Sequence, residues 1–275
     1  MKEEKIIINK LSINFKSFGQ GKPVLMLPSY AKATEDKIIL ILHGWGKGSE
    51  AWGQVGELLA KNDFQVIIPD LPGFGKTDEP KKPWTIADYA EFIKEFIAQL
   101  GIDKCNIIGH SFGGGIAAVF ASQNPQKVGK LILCNGAIIR KKRLSLRQKM
   151  ARGLSKAGKS VFTLPLSGGL LHLAQKFVYK IAGAHDYQLA SPLMKKTFQN
   201  IIGQDLCDYA SQIQLPTLII WGENDKSTPL RDARELNKII AGSKLEVIKN
   251  CGHNPHKTNT KELVDIINLF LNPKS

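Results

Sequence analysis

Apolar and polar positions along this chain fall into two alternating rhythms. Leu11, Ile13 and Phe15 alternate with Ser12, Asn14 and Lys16, the period of a half-buried edge strand, and residues 5–18 read as two short strands. Ile38–Leu42 is instead an unbroken apolar run, as expected of a central parallel strand covered on both faces. The strand signal returns at Phe64–Ile68, at Asn106-Ile107-Ile108, at Val128–Cys134, at 217–221 and at Lys244–Lys249. Helical spacing fills the gaps: 50–61, 113–120, 229–240, Thr260–Leu271, and a helix from Thr85 to Leu100. That helix carries Ile86, Tyr89, Phe92, Ile93, Phe96, Ile97 and Leu100 on one stripe and stops at Gly101.

Strands that alternate with helices predict an α/β fold with a mostly parallel, doubly wound sheet and right-handed crossovers. Two stretches break the alternation. Val24–Leu27 has strand character, but Pro28-Ser29-Tyr30-Ala31-Lys32 interrupts it, so 28–37 reads as an inserted surface loop. From 140 to 212 no strand pattern occurs and helical spacing dominates. Residues 1–139 and 213–275 are therefore expected to form the core, and 140–212 a helical insert over the sheet after the sixth strand.

Charge sharpens the picture of that insert. The 275 residues carry a net charge of +14, with no Asp or Glu between Asp103 and Asp186 and eleven Lys and Arg from Arg140 to Lys180. Leu146, Met150, Leu154, Ala157 and Val161 make a helical apolar stripe, with Lys142, Lys149, Arg152, Lys156 and Lys159 elsewhere on the same helix. The plain reading is a docked helix with a solvated basic face. The sharper one is weak contact with an anionic membrane surface, or attraction of an acidic substrate. Nucleic acid is not expected, because the segment lacks interleaved aromatics and no binding motif occurs. No apolar run is long enough to span a bilayer, and Ile6-Ile7-Ile8 is too short for a signal peptide. Cys105, Cys134, Cys207 and Cys251 are widely spaced and read as reduced thiols of a cytoplasmic protein, the first two as packing residues.

Chemistry concentrates at Gly109-His110-Ser111-Phe112-Gly113. This is G-x-S-x-G with a strand before it and a helix after it, the nucleophile elbow. Ser111 would stand in strained backbone at a helix N-terminus, where unpaired N–H groups favour negative charge. Two further loops fall just past strand C-termini, where a parallel sheet places its chemistry: Trp221–Pro229, holding Asp225, and Cys251–His256, holding His253. A serine hydroxyl needs a base, His253, and the base needs an orienting acid, Asp225. Asp208 and Glu223 are weaker candidates for the acid, and His256 reads as a neighbour of the site or a surface residue. The backbone N–H groups of Trp45 and Phe112 would form an oxyanion hole, and His43 with Gly44 would support the loop that carries Trp45. Nothing matches metal-ligand or nucleotide-binding spacing, so neither metal nor cofactor is expected.

Taken in order, His43-Gly44-Trp45-Gly46, Asp70-Leu71-Pro72-Gly73-Phe74-Gly75, the elbow, and the Asp225 and His253 loops resemble the α/β-hydrolase superfamily in its branch with a helical cap. The resemblance runs from about residue 5 to 272. It implies an esterase-like enzyme with Ser111, Asp225 and His253 as catalytic residues and the amides of Trp45 and Phe112 as the oxyanion hole. Haloalkane dehalogenases and epoxide hydrolases of this fold carry Asp where Ser111 stands. Proline iminopeptidases carry His-Gly-Gly-Pro-Gly in place of His43–Gly46. Meta-cleavage C–C hydrolases carry a Pro in that loop, absent here, but share the triad, so C–C cleavage stays open beside ester hydrolysis. A ligand-binding receptor on the same fold is the third reading. A small-molecule ester is the expected substrate; the pattern fixes no oligomeric state.

Overall fold

The computed structural model describes residues 1–19, 35–140, 187 and 190–273. Its centre is an eight-stranded sheet in the order β1-β2-β4-β3-β5-β6-β7-β8. The strands are β1 (Lys2–Ile8), β2 (Leu11–Phe18), β3 (Ile38–Leu42), β4 (Gln65–Pro69), β5 (Cys105–His110), β6 (Val128–Cys134), β7 (Thr217–Gly222) and β8 (Lys244–Ile248). β1 and β2 form an antiparallel hairpin joined at Asn9-Lys10, and β2 runs antiparallel to β4; every pairing from β4 to β8 is parallel. Both hairpin residues have positive φ, 50° and 69°, as a tight two-residue turn requires.

The unbroken apolar runs are the strands buried on both faces. Ile39 and Ile41 point to one layer of core with Trp52, Val66 and Ile267; Leu40 and Leu42 point to the other with Phe96, Ile107 and Ile116. The first layer packs under α1 (Gly53–Ala60) and α8 (Thr260–Leu271), the second under α2 (Ile86–Gln99) and α3 (Phe112–Gln123). α2 starts on a capping box in which Thr85 and Asp88 exchange hydrogen bonds with each other's backbone N–H. α3 is buried along almost its whole length, and Gly113 and Gly114 let it press onto the ends of β3 and β5 and the segment after β6.

β2 differs from its expected place. It is the second strand, not the edge, and Asn14 and Lys16 are buried. Their alternation with apolar residues suggested a solvent face. The structure covers that face from two loops: Asn14 Nδ2 donates to Asp70 (2.9 Å) in the loop after β4, and Lys16 pairs with Glu50 (3.4 Å) in the turn after β3.

Between β6 and β7 lie α4 (Pro192–Ile202) and α5 (Cys207–Ser211). Leu206, Ala210 and Ile213 are buried in the core layer that contains α3, whereas Phe198 of α4 reaches across to Trp45. The apolar and basic stripes read at 142–161 lie outside the described residues, as does most of the loop read at 28–37; its last residues, Glu35–Lys37, form a 3-10 turn. α6 (Leu230–Ile239) and the short α7 (Pro255–Thr258) complete the fold. Among the described residues no helix is long and apolar enough to cross a membrane.

Candidate active site

Three loops at the C-terminal ends of β5, β7 and β8 converge on one point. β5 ends at His110, and the chain turns at once into α3 through Ser111, whose φ is 52°. A non-glycine residue there is strained, and the surroundings over-determine it. Ser111 N–H donates to Cys134 O (3.1 Å), and Ser111 O accepts from Gly114 (3.0 Å), Gly115 (3.3 Å) and Ala137 (2.8 Å). The flanking glycines are there for close approach. A Cβ on Gly109 would lie 2.5 Å from Gly113 O, and one on Gly113 would lie 2.2 Å from Leu42 O.

His253 faces this turn. Its Nε2 lies 2.9 Å from Ser111 Oγ, and its Nδ1 lies 2.7 Å from Asp225 Oδ2. A carboxylate accepts, so Nδ1 carries the hydrogen and Nε2 is left to accept the Ser111 hydroxyl. Asp225 is buried, and burial alone would raise its pKa. Hydrogen bonds from His253, Asn135 and Thr228 outweigh that and hold the carboxyl below its ordinary value. The donors are Asn135 Nδ2 (2.5 Å), Thr228 Oγ1 (2.7 Å), and the backbone N–H groups of Ser227 (2.7 Å) and Thr228 (3.0 Å). Sequence reasoning passed over Asn135 and Thr228. Asn135 stands one residue past the end of β6, itself a site position in a parallel sheet, with φ at 48°. Asn is among the few side chains that tolerate that conformation, which is the signal that could have found it.

The loop after β3 supplies the fourth wall. Phe112 is the first residue of α3, so its N–H has no acceptor within the helix, and among the described residues neither it nor the Trp45 N–H meets a backbone acceptor. His43 is fully buried with both ring nitrogens engaged: Nδ1 donates to Gly44 O (2.9 Å), and Nε2 accepts from Leu71 N–H (2.9 Å). Burial holds its pKa below the ordinary imidazole value. Asp70 ties the same loop down, accepting from Ser49 N–H (2.5 Å), Lys76 N–H (2.9 Å) and Asn14 Nδ2 (2.9 Å). Of the remaining candidates, Asp208 and Glu223 are exposed, and Glu223 accepts from Asn250 N–H (3.0 Å) away from His253. His256 is buried rather than exposed, stacked on Trp52 with ring centres 4.7 Å apart.

A cavity of about 160 Å3 opens onto Ser111 and His253. Trp45, Phe112, Phe198, Ile201 and Ile202 make most of its wall apolar, and Arg140 adds a cation. Trp45 packs against Phe74 (4.8 Å), Phe198 (4.9 Å) and Phe112 (5.6 Å), which fixes the loop bearing its amide. Among the described residues no group of three His, Cys, Asp or Glu side chains is placed to hold a metal ion. The arrangement can move a proton from a hydroxyl to an imidazole.

Similarity to known proteins bears on the fold. The family model described as alpha/beta hydrolase fold matches residues 37–260. An uncharacterized protein of Mycobacterium tuberculosis is 30% identical over 255 residues, covering 85% of this chain and 74% of that one. A 2-hydroxy-6-oxononadienedioate/2-hydroxy-6-oxononatrienedioate hydrolase of Escherichia coli O81 is 28% identical over 261 residues, covering 88% of this chain and 85% of that one. Among solved structures, a bacterial membrane phospholipase A superposes with a TM-score of 0.71 at 24% identity, over 98% of this chain and 85% of the other. The chain belongs to the α/β-hydrolase fold family.

Proposed function

We propose that this protein is a serine hydrolase that cleaves a carboxylic ester through an acyl-Ser111 intermediate. The observation that carries the reading is the pair of bonds made by His253, 2.9 Å to Ser111 Oγ and 2.7 Å to Asp225. Ser111 Oγ attacks the carbonyl carbon while His253 Nε2 takes the hydroxyl proton. Asp225 stays ionised and stabilises the imidazolium. The amides of Trp45 and Phe112 donate to the oxyanion, each worth ~3 kcal/mol. His253 then gives its proton to the departing alkoxide, and a water, deprotonated by the same nitrogen, releases the acid and restores Ser111. The scheme draws on no cofactor.

Residues 140–212 act in this reading as a cap, with α4 placing Phe198, Ile201 and Ile202 over the cavity. A cavity of 160 Å3 is below the roughly 300–1,000 Å3 of pockets for drug-sized ligands, which favours a short acyl group. C–C bond hydrolysis is the second reading. The Escherichia coli relative favours it, and Arg140 in the wall offers a carboxylate-bearing substrate an ionic partner.

A panel of p-nitrophenyl esters of increasing acyl length, run beside a 2-hydroxy-6-oxo-dienoate, separates the two. Ester turnover should be highest for short chains. Ser111→Ala should lose turnover by several orders of magnitude while its circular dichroism is unchanged. A fluorophosphonate should label the wild type once, at Ser111. A folded Ser111→Ala protein with near-normal turnover would end the serine mechanism.

A further inference from the structure

The elbow residue before the nucleophile has a role of its own. His110 is the last residue of β5 and is 3% exposed. Its Nε2 lies 2.8 Å from the backbone carbonyl of His253. A carbonyl only accepts, so Nε2 carries the hydrogen and Nδ1 carries the lone pair. Nδ1 has no hydrogen-bond partner among the described residues. It is wedged instead against the loop after β3: a Cβ on Gly44 would lie 3.0 Å from His110 Nδ1 and 3.5 Å from Ser111 Cβ. The far side of the ring meets His256 (4.7 Å between centres) and Trp52 (5.8 Å). One imidazole therefore touches the elbow, the loop bearing the Trp45 amide, and the loop bearing His253.

Other bonds cannot do the same work. The His253 loop is tied to the Asp225 loop through Asn224 N–H to Cys251 O (2.8 Å) and Glu223 N–H to Ile248 O (3.0 Å). Among the described residues, two hydrogen bonds cross from the elbow to 251–256. One is the Ser111–His253 bond itself, and the other is the bond from His110. The two run side by side, since His110 and Ser111 are adjacent and both partners belong to His253. We propose that His110 is a positioning residue, a strut whose N–H to the His253 carbonyl sets the distance between Ser111 Oγ and His253 Nε2. The inference rests on the serine-hydrolase reading above. His110 is absent from the cavity wall, so its effect falls on the chemical step and not on substrate binding.

Two substitutions separate a strut from a core filler. His110→Gln places an amide N–H the same number of bonds from Cβ as Nε2 and keeps the donor without the ring. His110→Phe keeps an aromatic ring of similar size without the donor. The strut predicts that Phe lowers both kcat and the rate of fluorophosphonate labelling about 10- to 100-fold with KM unchanged, the order lost when reacting groups are misplaced by an ångström. Gln should restore the labelling rate to within a few-fold of wild type. A labelling rate in His110→Phe equal to wild type, or recovery by Phe and not by Gln, would overturn the proposal. If neither variant folds, long-range 1H–15N correlation on the wild-type imidazoles decides: the strut requires the Nε2–H tautomer of His110, and an Nδ1–H tautomer refutes it. Wild-type protein that takes up no label at Ser111 would instead overturn the serine-hydrolase reading on which the strut rests.

Discussion

Lowering the pH from 7.5 to 5.0 should cost this protein a large part of its stability, through three buried imidazoles that cannot hold a proton. His43 donates with one nitrogen and accepts with the other, so a second hydrogen would face the Leu71 N–H. His110 and His256 each bury an unpartnered Nδ1. Burial pushes the pKa of all three below 6.5, that of His256 to about 3, helped by the positive charges of Lys257 and Lys47. The unfolded chain binds these protons at pH 5 and the native chain does not, so acid favours unfolding. For His256 alone, a shift from 6.5 to about 3 makes the loss at pH 5.0 about 2 kcal/mol. His43 and His110 add losses of the same sign. Against a typical total of about 5–15 kcal/mol, this is a severe penalty. Asp70 and Asp225, whose folded pKa values are depressed, hold their contribution until the pH falls below the ordinary carboxylate range, outside the window. The assay is urea unfolding at the two pH values and constant ionic strength, for wild type and for His256→Phe, which keeps a ring against Trp52. Wild type should lose at least about 2 kcal/mol, and the variant should lose about 2 kcal/mol less than wild type does. Equal stability of the wild type at both pH values would refute the reasoning.

Three further outcomes follow from the surroundings of single residues. Gly113→Ala should be destabilised by about 1–3 kcal/mol in the same unfolding assay, since its Cβ would meet the backbone of Leu42 and His43. Gly53→Ala, with nothing within 4 Å of the added atom, should be neutral or slightly stabilising. Asn135→Leu should lower kcat about tenfold at unchanged KM, because Asp225 loses one charge-assisted donor and keeps the rest. Steady-state kinetics on an ester from the panel would check this, and an unchanged kcat would show that Asn135 only fills space.

Much of this fold was readable because its constraints are local. Ile38–Leu42 is apolar throughout because both faces are covered, and Gly109 and Gly113 are glycine because backbone passes within 3 Å of where a side chain would start. Ser111, Asp225 and His253 stood out because a parallel sheet displays its chemistry at strand ends. What stayed hidden depends on contacts distant in sequence. Asn14 and Lys16 alternate like surface residues, and what covers them comes later in the chain: Asp70 in the loop after β4 and Glu50 in the turn after β3. Asn135 is one polar residue at the end of a strand until Asp225, ninety positions away, is placed beside it. His256 carries no mark of burial, because its stacking partner is Trp52. His110 resembles a variable position of a motif, and its bond to the His253 carbonyl spans 143 residues.

The hairpin at the start of the chain also has a bearing on assembly. Asn14 O accepts from Asp70 N–H, Ser12 O accepts from Asp78 N–H, and Ser12 N–H donates back to the Asp78 carboxylate (2.8 Å). Asn14 N–H reaches Thr77 Oγ1 (2.9 Å). The segment 70–78, which seats His43 through Leu71, is thus clasped by residues made some sixty positions earlier. On the ribosome the hairpin must wait for β4 and this loop to emerge before its polar groups find partners. Trimming the chain to begin at β3 would leave Asp70 without its Asn14 contacts and unclamp the loop behind His43. β1 and β2 therefore behave as a latch on the loop that seats His43, and shortened versions of this protein should retain them.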